Sequence, residues 1–307
     1  MKIGLGLPQM GIFADVNALV DVAVAADAAG FDSLWTADRQ LAPVAPRTPY
    51  PASPDGALPE QMSVVLDPLL TLATAAAHTQ RIRVGTNVLV APLYAPIMLA
   101  RSAASLDRLT GGRFVLGLGV GWSVDEYEAA GVPQRNLGRR LDEVLDVLEA
   151  AWSQEVVAIE TSHERIAPST IGLKPYGGHV PTLLAAYTPA GLDRIARRAD
   201  GWTPAGVPVQ MAVQIWEGVR HAAEGYGRNP DLMELVVRAN VYLSPTPLGE
   251  GRAEFTGSPT EVRDDIMRAR DAGVDELIIE LQATAQSVDH LLDTTAFLAS
   301  IPVPAGV

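Results

Sequence analysis

The chain of 307 residues contains no cysteine. That excludes disulfides, thiolate metal centres and cysteine nucleophiles. Lysine is nearly absent as well: only Lys2 and Lys174 occur, and neither falls where a barrel lyase would need its amine. The five histidines, His78, His163, His179, His221 and His290, lack metal-ligand spacing, which argues against a zinc enzyme. No run of about 18 apolar residues appears, so no membrane span is expected. The N-terminus lacks the charged and apolar regions of a secretory signal, and the reading is a cytoplasmic protein. A net charge of −13 with no basic stripe speaks against a nucleic-acid partner. What is present is ordinary globular composition, 48% hydrophobic and 19% charged, enough to bury a sizeable core.

Apolar runs alternate with helical patterns along the whole chain. Strands are expected at residues 2–7, 33–36, 81–90, 113–119, 181–186, 201–205, 234–243 and 276–281, with a further small strand near 156–159. Helix signals stand between them. Asp15 caps a helix that Gly30 ends, and Asp67-Pro68 gives an N-cap followed by a first-turn proline. Leu141, Val144, Leu145, Leu148 and Trp152 share one helical face. Ser258-Pro259-Thr260-Glu261 reads as a capping box. Eight strand–helix units in this length imply a parallel α/β fold closed as a (β/α)8 TIM barrel, with insertions after strands 2, 4 and 7. No composition break divides the chain, so one domain over residues 1–307 is expected. In such a barrel the chemistry belongs at the C-terminal ends of the strands.

At the end of the fourth strand Gly117, Gly119 and Gly121 form a G-x-G-x-G pattern. It serves either close packing at a strand end or the approach of a flat ligand to the backbone. It is not the dinucleotide fingerprint, which has a different spacing and opens the helix after a first strand. The loop over residues 40–63 carries Arg47, Tyr50, Glu60 and six prolines. Its length suggests a wall or lid on the substrate side, with Tyr50 and Glu60 as candidate proton donors. Arg139, Arg140, Arg194, Arg197 and Arg198 lie on helix faces opposite the apolar stripes and read as salt-bridged surface.

The stretch Leu106-Asp107-Arg108-Leu109-Thr110-Gly111-Gly112-Arg113-Phe114 and its continuation Val115-Leu116-Gly117-Leu118-Gly119-Val120-Gly121-Trp122 resemble the luciferase-like monooxygenase superfamily. So do Glu126-Tyr127 with Gly131, Arg139-Arg140 with Asp142-Glu143, Ala199-Asp200-Gly201-Trp202, and Gly257-Ser258-Pro259-Thr260-Glu261-Val262. The resemblance runs from Met1 to about Ser300. It implies a TIM barrel that binds FMN or the deazaflavin F420, and Trp35-Thr36-Ala37-Asp38 is most similar to the F420-dependent branch.

Site residues carry over position by position. The resemblance implies a cis peptide at Asn87–Val88 that props the cofactor ring, and a contact from Asp38 to that ring. Arg39 stands where members of the branch have a histidine. An arginine does not exchange protons usefully but can hold an anionic or carbonyl oxygen. Trp122 replaces the carboxylate of one sugar-phosphate dehydrogenase group and would wall the ring pocket, beside Gly119 and Gly121. Tyr187, Thr188, Pro189 and Ala190 would form the phosphate turn at a helix N-terminus. The implied activity is hydride transfer between the deazaflavin C5 and a small organic substrate such as an enone, imine, carbonyl or alcohol, with Arg39, Trp122 and Tyr50 as catalytic residues. The alternatives are an FMN-dependent monooxygenase served by a partner reductase and a non-catalytic flavin-binding protein. The family also implies a homodimer.

Overall fold

The computed structural model describes residues 1–53 and 55–301. Its elements run in the following order: β1 (Lys2–Gly6), α1 (Val16–Ala29), β2 (Ser33–Thr36), α2 (Pro68–Ala77), β3 (Arg83–Thr86), β4 (Leu89–Val90), α3 (Pro96–Thr110), β5 (Phe114–Gly119), α4 (Val124–Ala129), α5 (Leu137–Ser153), β6 (Val156–Glu160), β7 (Arg165–Thr170), β8 (Thr182–Leu184), α6 (Pro189–Arg198), β9 (Gly201–Trp202), α7 (Val209–Gly225), β10 (Glu234–Asn240), β11 (Tyr242–Leu243), β12 (Thr256–Gly257), α8 (Pro259–Asp271), β13 (Glu276–Glu280) and α9 (Val288–Ala299).

The main sheet has the order β3-β2-β1-β13-β10-β9-β8-β5-β4, and a further β3–β5 pairing closes it. Every pairing in it is parallel, and β3 with β4 makes one interrupted staircase of a strand, so the barrel has the eight staves expected from the sequence. The third strand breaks at Asn87–Val88, where the sequence reads continuously. The sixth stops at Trp202 and resumes only as a bridge from Ala205 to Arg238, because Pro204 has no N–H to give the ladder.

The caps explain where the helices start. Asp15 accepts from Asn17 N and Ala18 N, Asp67 from Leu70 N, and Ser258 with Glu261 forms a complete capping box. The expected small strand pairs with β7 as an antiparallel hairpin, and β11 pairs with β12 in parallel; both lie outside the barrel.

Inside the barrel Trp35, Val115, Leu183, Val236 and Ile278 form a buried layer. The Trp35 ring fills the space that side chains at Gly4 and Gly85 would need. Below it, at the N-terminal end, the buried Glu276 accepts from Ser33 Oγ and from Trp35 Nε1 (2.9 Å), and Arg83 lies 3.4 Å away. Arg83 and Lys2 also meet Glu234, at 3.1 and 2.6 Å. This polar floor lies at the end of the barrel opposite the mouth.

Candidate active site at the barrel mouth

The mouth is shaped by a break in one strand. The Asn87–Val88 peptide is cis, as the resemblance implied. Asn87 N donates to Thr36 O at 2.6 Å, and its side-chain amide donates to Thr203 Oγ1 at 2.6 Å. Thr86 Oγ1 donates to Gly117 O and accepts from Gly117 N, both at 2.8 Å. The glycine pattern follows from this bulge. A Cβ on Gly119 would lie 2.9 Å from Val88 Cγ2, and one on Gly121 2.6 Å from Val90 Cγ1, while at Gly117 it would collide with Thr86 O. Gly119 and Gly121 thus shape the mouth by letting Val88 and Val90 pack against β5. Of the two meanings left open by the sequence, close packing is the one these contacts display.

Asp38 secures the far side of the same break. Its Oδ2 accepts from Val90 N (3.0 Å) and Tyr94 OH (2.9 Å), and Oδ1 accepts from Gln40 Nε2 (2.9 Å). Burial pushes its carboxyl up to about 6, against the pull of the Val90 and Tyr94 hydrogen bonds. Burial and the neighbouring Asp38 push the Tyr94 phenol far upward, so it remains a donor. Asp38 therefore engages the strand that follows the bulge with hydrogen bonds that the sequence did not foretell.

Arg39, Trp122 and Tyr50 come together although more than eighty residues separate the first two. The Arg39 guanidinium lies 4.8 Å over the Trp122 ring, and the Tyr50 and Trp122 rings are 5.5 Å apart, tilted by 55°. The Arg39 side chain is only 6% exposed; Nε donates to Leu41 O at 3.0 Å and stands 3.7 Å from Glu126 Oε1. Among the described residues its Nη2 is buried with no partner. A buried guanidinium N–H without an acceptor is rare and calls for an explanation. Burial raises the Tyr50 phenol, although Arg238 and Arg39 oppose the shift.

The loop after β2 reaches over this cluster and is held on α4. Arg47 Nε donates to Asp125 Oδ1 at 2.6 Å and its Nη2 to Glu128, while Gln40 N donates to the buried Glu126 at 2.7 Å. Helix α4 was not expected from the sequence. Its signal was there: Ser123 and Glu126 have capping-box spacing, and Ser123 Oγ accepts from Glu126 N at 3.4 Å. Under the loop, against β10 and β13, lies a cavity of about 220 Å³ lined in part by Tyr50, Arg238, Asn240 and Glu280. The last three escaped the sequence reading. Polar residues alternating with apolar ones at the C-terminal ends of two barrel strands were the available clue. Glu60 does not line this cavity and is exposed, so its candidacy as a proton donor ends there.

Tyr187, Thr188, Pro189 and Ala190 form an exposed turn into α6. Thr188 Oγ1 accepts from Gly191 N at 3.2 Å, and Tyr187 OH accepts from Ala205 N at 3.0 Å. Four of the five arginines expected to be salt-bridged are paired: Arg194 with Asp142, Arg197 with Asp193, Arg198 with Asp146, and Arg139 with Glu143. Arg194 is buried and not on the surface, and Arg140 has no ion pair among the described residues, its Nε being buried without a partner. Among the described residues there is no cluster suited to a metal ion, and no helix is long and apolar enough to cross a membrane.

A closed parallel barrel with a bulged third strand and a polar cluster at its C-terminal mouth defines the class. The profile of the luciferase-like monooxygenase family matches residues 2–248, and the chain belongs to that family. An uncharacterised Mycobacterium tuberculosis protein is 35% identical over 221 residues, 69% of this chain and 77% of that one. The F420-dependent glucose-6-phosphate dehydrogenase of Nakamurella multipartita is 30% identical over 73% of this chain and 63% of its own length. Among solved structures, the monooxygenase RslO1 of Streptomyces bottropensis superposes with a TM-score of 0.80 at 22% identity, covering 98% of both chains. The oxygenating component of 3,6-diketocamphane monooxygenase from Pseudomonas putida, in complex with FMN, gives 0.75 at 18% identity, over 98% of this chain and 97% of that one. An F420-dependent secondary alcohol dehydrogenase in complex with an F420-acetone adduct gives 0.77 at 15% identity, over 98% of both.

The donor set at this end of the barrel, an Arg39 Nη2 with no acceptor among the described residues and the indole face of Trp122, is compatible with a flat flavin or deazaflavin ring.

Proposed function

We propose that the protein is an F420-dependent oxidoreductase that moves a hydride between the deazaflavin and a small organic substrate. The observation that carries the proposal is the buried, unpartnered Arg39 Nη2 stacked over Trp122 beside the cis bulge. The F420 dependence of the Nakamurella relative supports the choice of cofactor. When bound, F420 supplies or accepts a hydride at its C5 carbon. Asn87 and Val88 would bear on the ring, and the turn from Tyr187 to Ala190 would receive the phosphate at the open end of α6. The Arg39 guanidinium would hold an oxygen in place. Tyr50 is protonated at neutral pH and would give a proton to a substrate oxygen as negative charge builds there. The loop over residues 37–67, docked on α4, would exclude water from the reacting atoms.

A second reading, an FMN-dependent monooxygenase fed by a reductase, draws on the likeness to two solved monooxygenases. Titration of the apoprotein with F420 and, separately, with FMN tests both, followed by ligand fluorescence. Micromolar or tighter binding of F420 alone is the expected result. Preference for FMN would replace the first reading with the second, and binding of neither would end both.

A further inference from the structure

The cavity beneath the loop differs from the mouth in its charge arrangement. Among its described lining residues only Arg238 and Glu280 are charged. They are paired, Arg238 Nη2 donating to Glu280 Oε2 at 3.3 Å. Glu280 Oε1 is taken by Gln282, whose N and Nε2 donate to it at 2.9 and 3.0 Å. Gly6 makes this possible, since a Cβ there would lie 2.6 Å from Glu280 Oε2. The cavity's two charges therefore cancel, and no second cation lies in its described wall.

An arginine carries five N–H donors. Among the described residues only Glu280 Oε2 accepts from the Arg238 side chain, and its Nε is buried without a partner. Donor capacity thus remains after the charge is compensated. Tyr50 and Asn240 add hydrogen-bonding groups, and Met10 and Met62 give an apolar wall. A phosphate or carboxylate entering here would bring a net negative charge out of water, with the one cation of the described wall already engaged. An uncharged carbonyl or hydroxyl group avoids that cost and still satisfies the free donors. The volume, about 220 Å³, falls below the range of drug-sized pockets, roughly 300–1,000 Å³.

Resting on the oxidoreductase reading above, we propose that this cavity is the substrate subsite and selects small uncharged carbonyl or alcohol compounds. Arg238 and Tyr50 hold the oxygen, Met10 and Met62 contact the carbon skeleton, and Glu280 acts as the selectivity residue that turns anions away. This specificity differs from that of the sugar-phosphate dehydrogenase relative, whose named substrate is anionic.

The test uses titration calorimetry on the whole chain, with and without F420. The neutral probes are cyclohexanone and cyclohexanol; the anionic probes are cyclohexanecarboxylate and glucose 6-phosphate. The wild type is expected to bind a neutral probe saturably and at least about tenfold tighter than either anion. Glu280→Gln, which keeps the shape and removes the compensating charge, should raise affinity for cyclohexanecarboxylate about tenfold or more. Arg238→Met should lower affinity for cyclohexanone by a similar factor, with Arg238→Lys as the control if the Met variant does not melt cooperatively. Tighter anion than neutral binding by the wild type, no saturable neutral ligand, or an unchanged anion-to-neutral ratio in Glu280→Gln would overturn the proposal. F420 and FMN titrations of the same samples report separately on the cofactor, so failure of the subsite and failure of the oxidoreductase reading are distinguishable.

Discussion

Asp38 joins two turns of the chain with one carboxylate, and its titration gives a measurable signature. Its folded value, about 6, lies above the ordinary value near 4 of an unfolded chain. Between those values the folded state keeps a proton that the unfolded state has lost. Asp38 therefore makes stability fall as pH rises through that window, with the loss complete above it. Asp38→Asn should flatten this part of the profile. Urea midpoints at pH 4.5 and 7 would show it, and an unchanged difference between the two midpoints would mean that other groups set the slope. The sequence pointed to Asp38 through family likeness. It could not show the hydrogen bonds from Val90 N and Tyr94 OH, because both partners lie more than fifty residues further along the chain. Arg39, Trp122 and Tyr50 were each nominated separately; their meeting is a product of the loop's path over the mouth.

For the elements, legibility followed from how local the cause was. Caps are local, so the starts at Asp15, Asp67, Thr188 and Ser258 were readable. The break in the third strand was legible only through the family likeness, which placed it at Asn87–Val88; no local signal marks it, and the glycines that make room for Val88 and Val90 lie thirty residues away. That fit predicts non-additive energetics. Gly119→Ala should destabilise by about 1–3 kcal/mol through overpacking against Val88. Adding Val88→Ala to it should recover part of the loss, which thermal melts of the double-mutant cycle would detect. Purely additive melts would remove Val88 as the reason for the glycine. At the N-terminus of α6, Ala190 is exposed. Ala190→Trp is therefore expected to leave the melting temperature nearly unchanged and to weaken F420 binding at least tenfold. Equal affinity would detach that turn from the cofactor.

Over the whole molecule the barrel separates stability from chemistry along its axis. The polar floor at the N-terminal end is built on the buried Glu276, whose carboxyl is raised by desolvation and lowered by Arg83. Arg83→Met would leave that buried group without its cation, costing about 3 kcal/mol or more. Denaturant unfolding should report the cost while F420 affinity stays within about twofold; a parallel loss of affinity would contradict the separation. The eight-unit pattern was visible in the sequence because each strand repeats the same burial demand. The cavity under the loop was not, because its wall combines the ends of β10 and β13 with a proline-rich segment from the other half of the chain.

Four of the five tryptophans, Trp35, Trp152, Trp202 and Trp216, are buried to 5% exposure or less. Trp122 is the half-buried one, with a guanidinium on its face and the loop's tyrosine at its side. The long-wavelength edge of the protein's intrinsic emission is therefore expected from the indole that stands beneath the loop. Its colour should register a ligand seated at the mouth without any attached dye, making that indole an optical gauge of what enters.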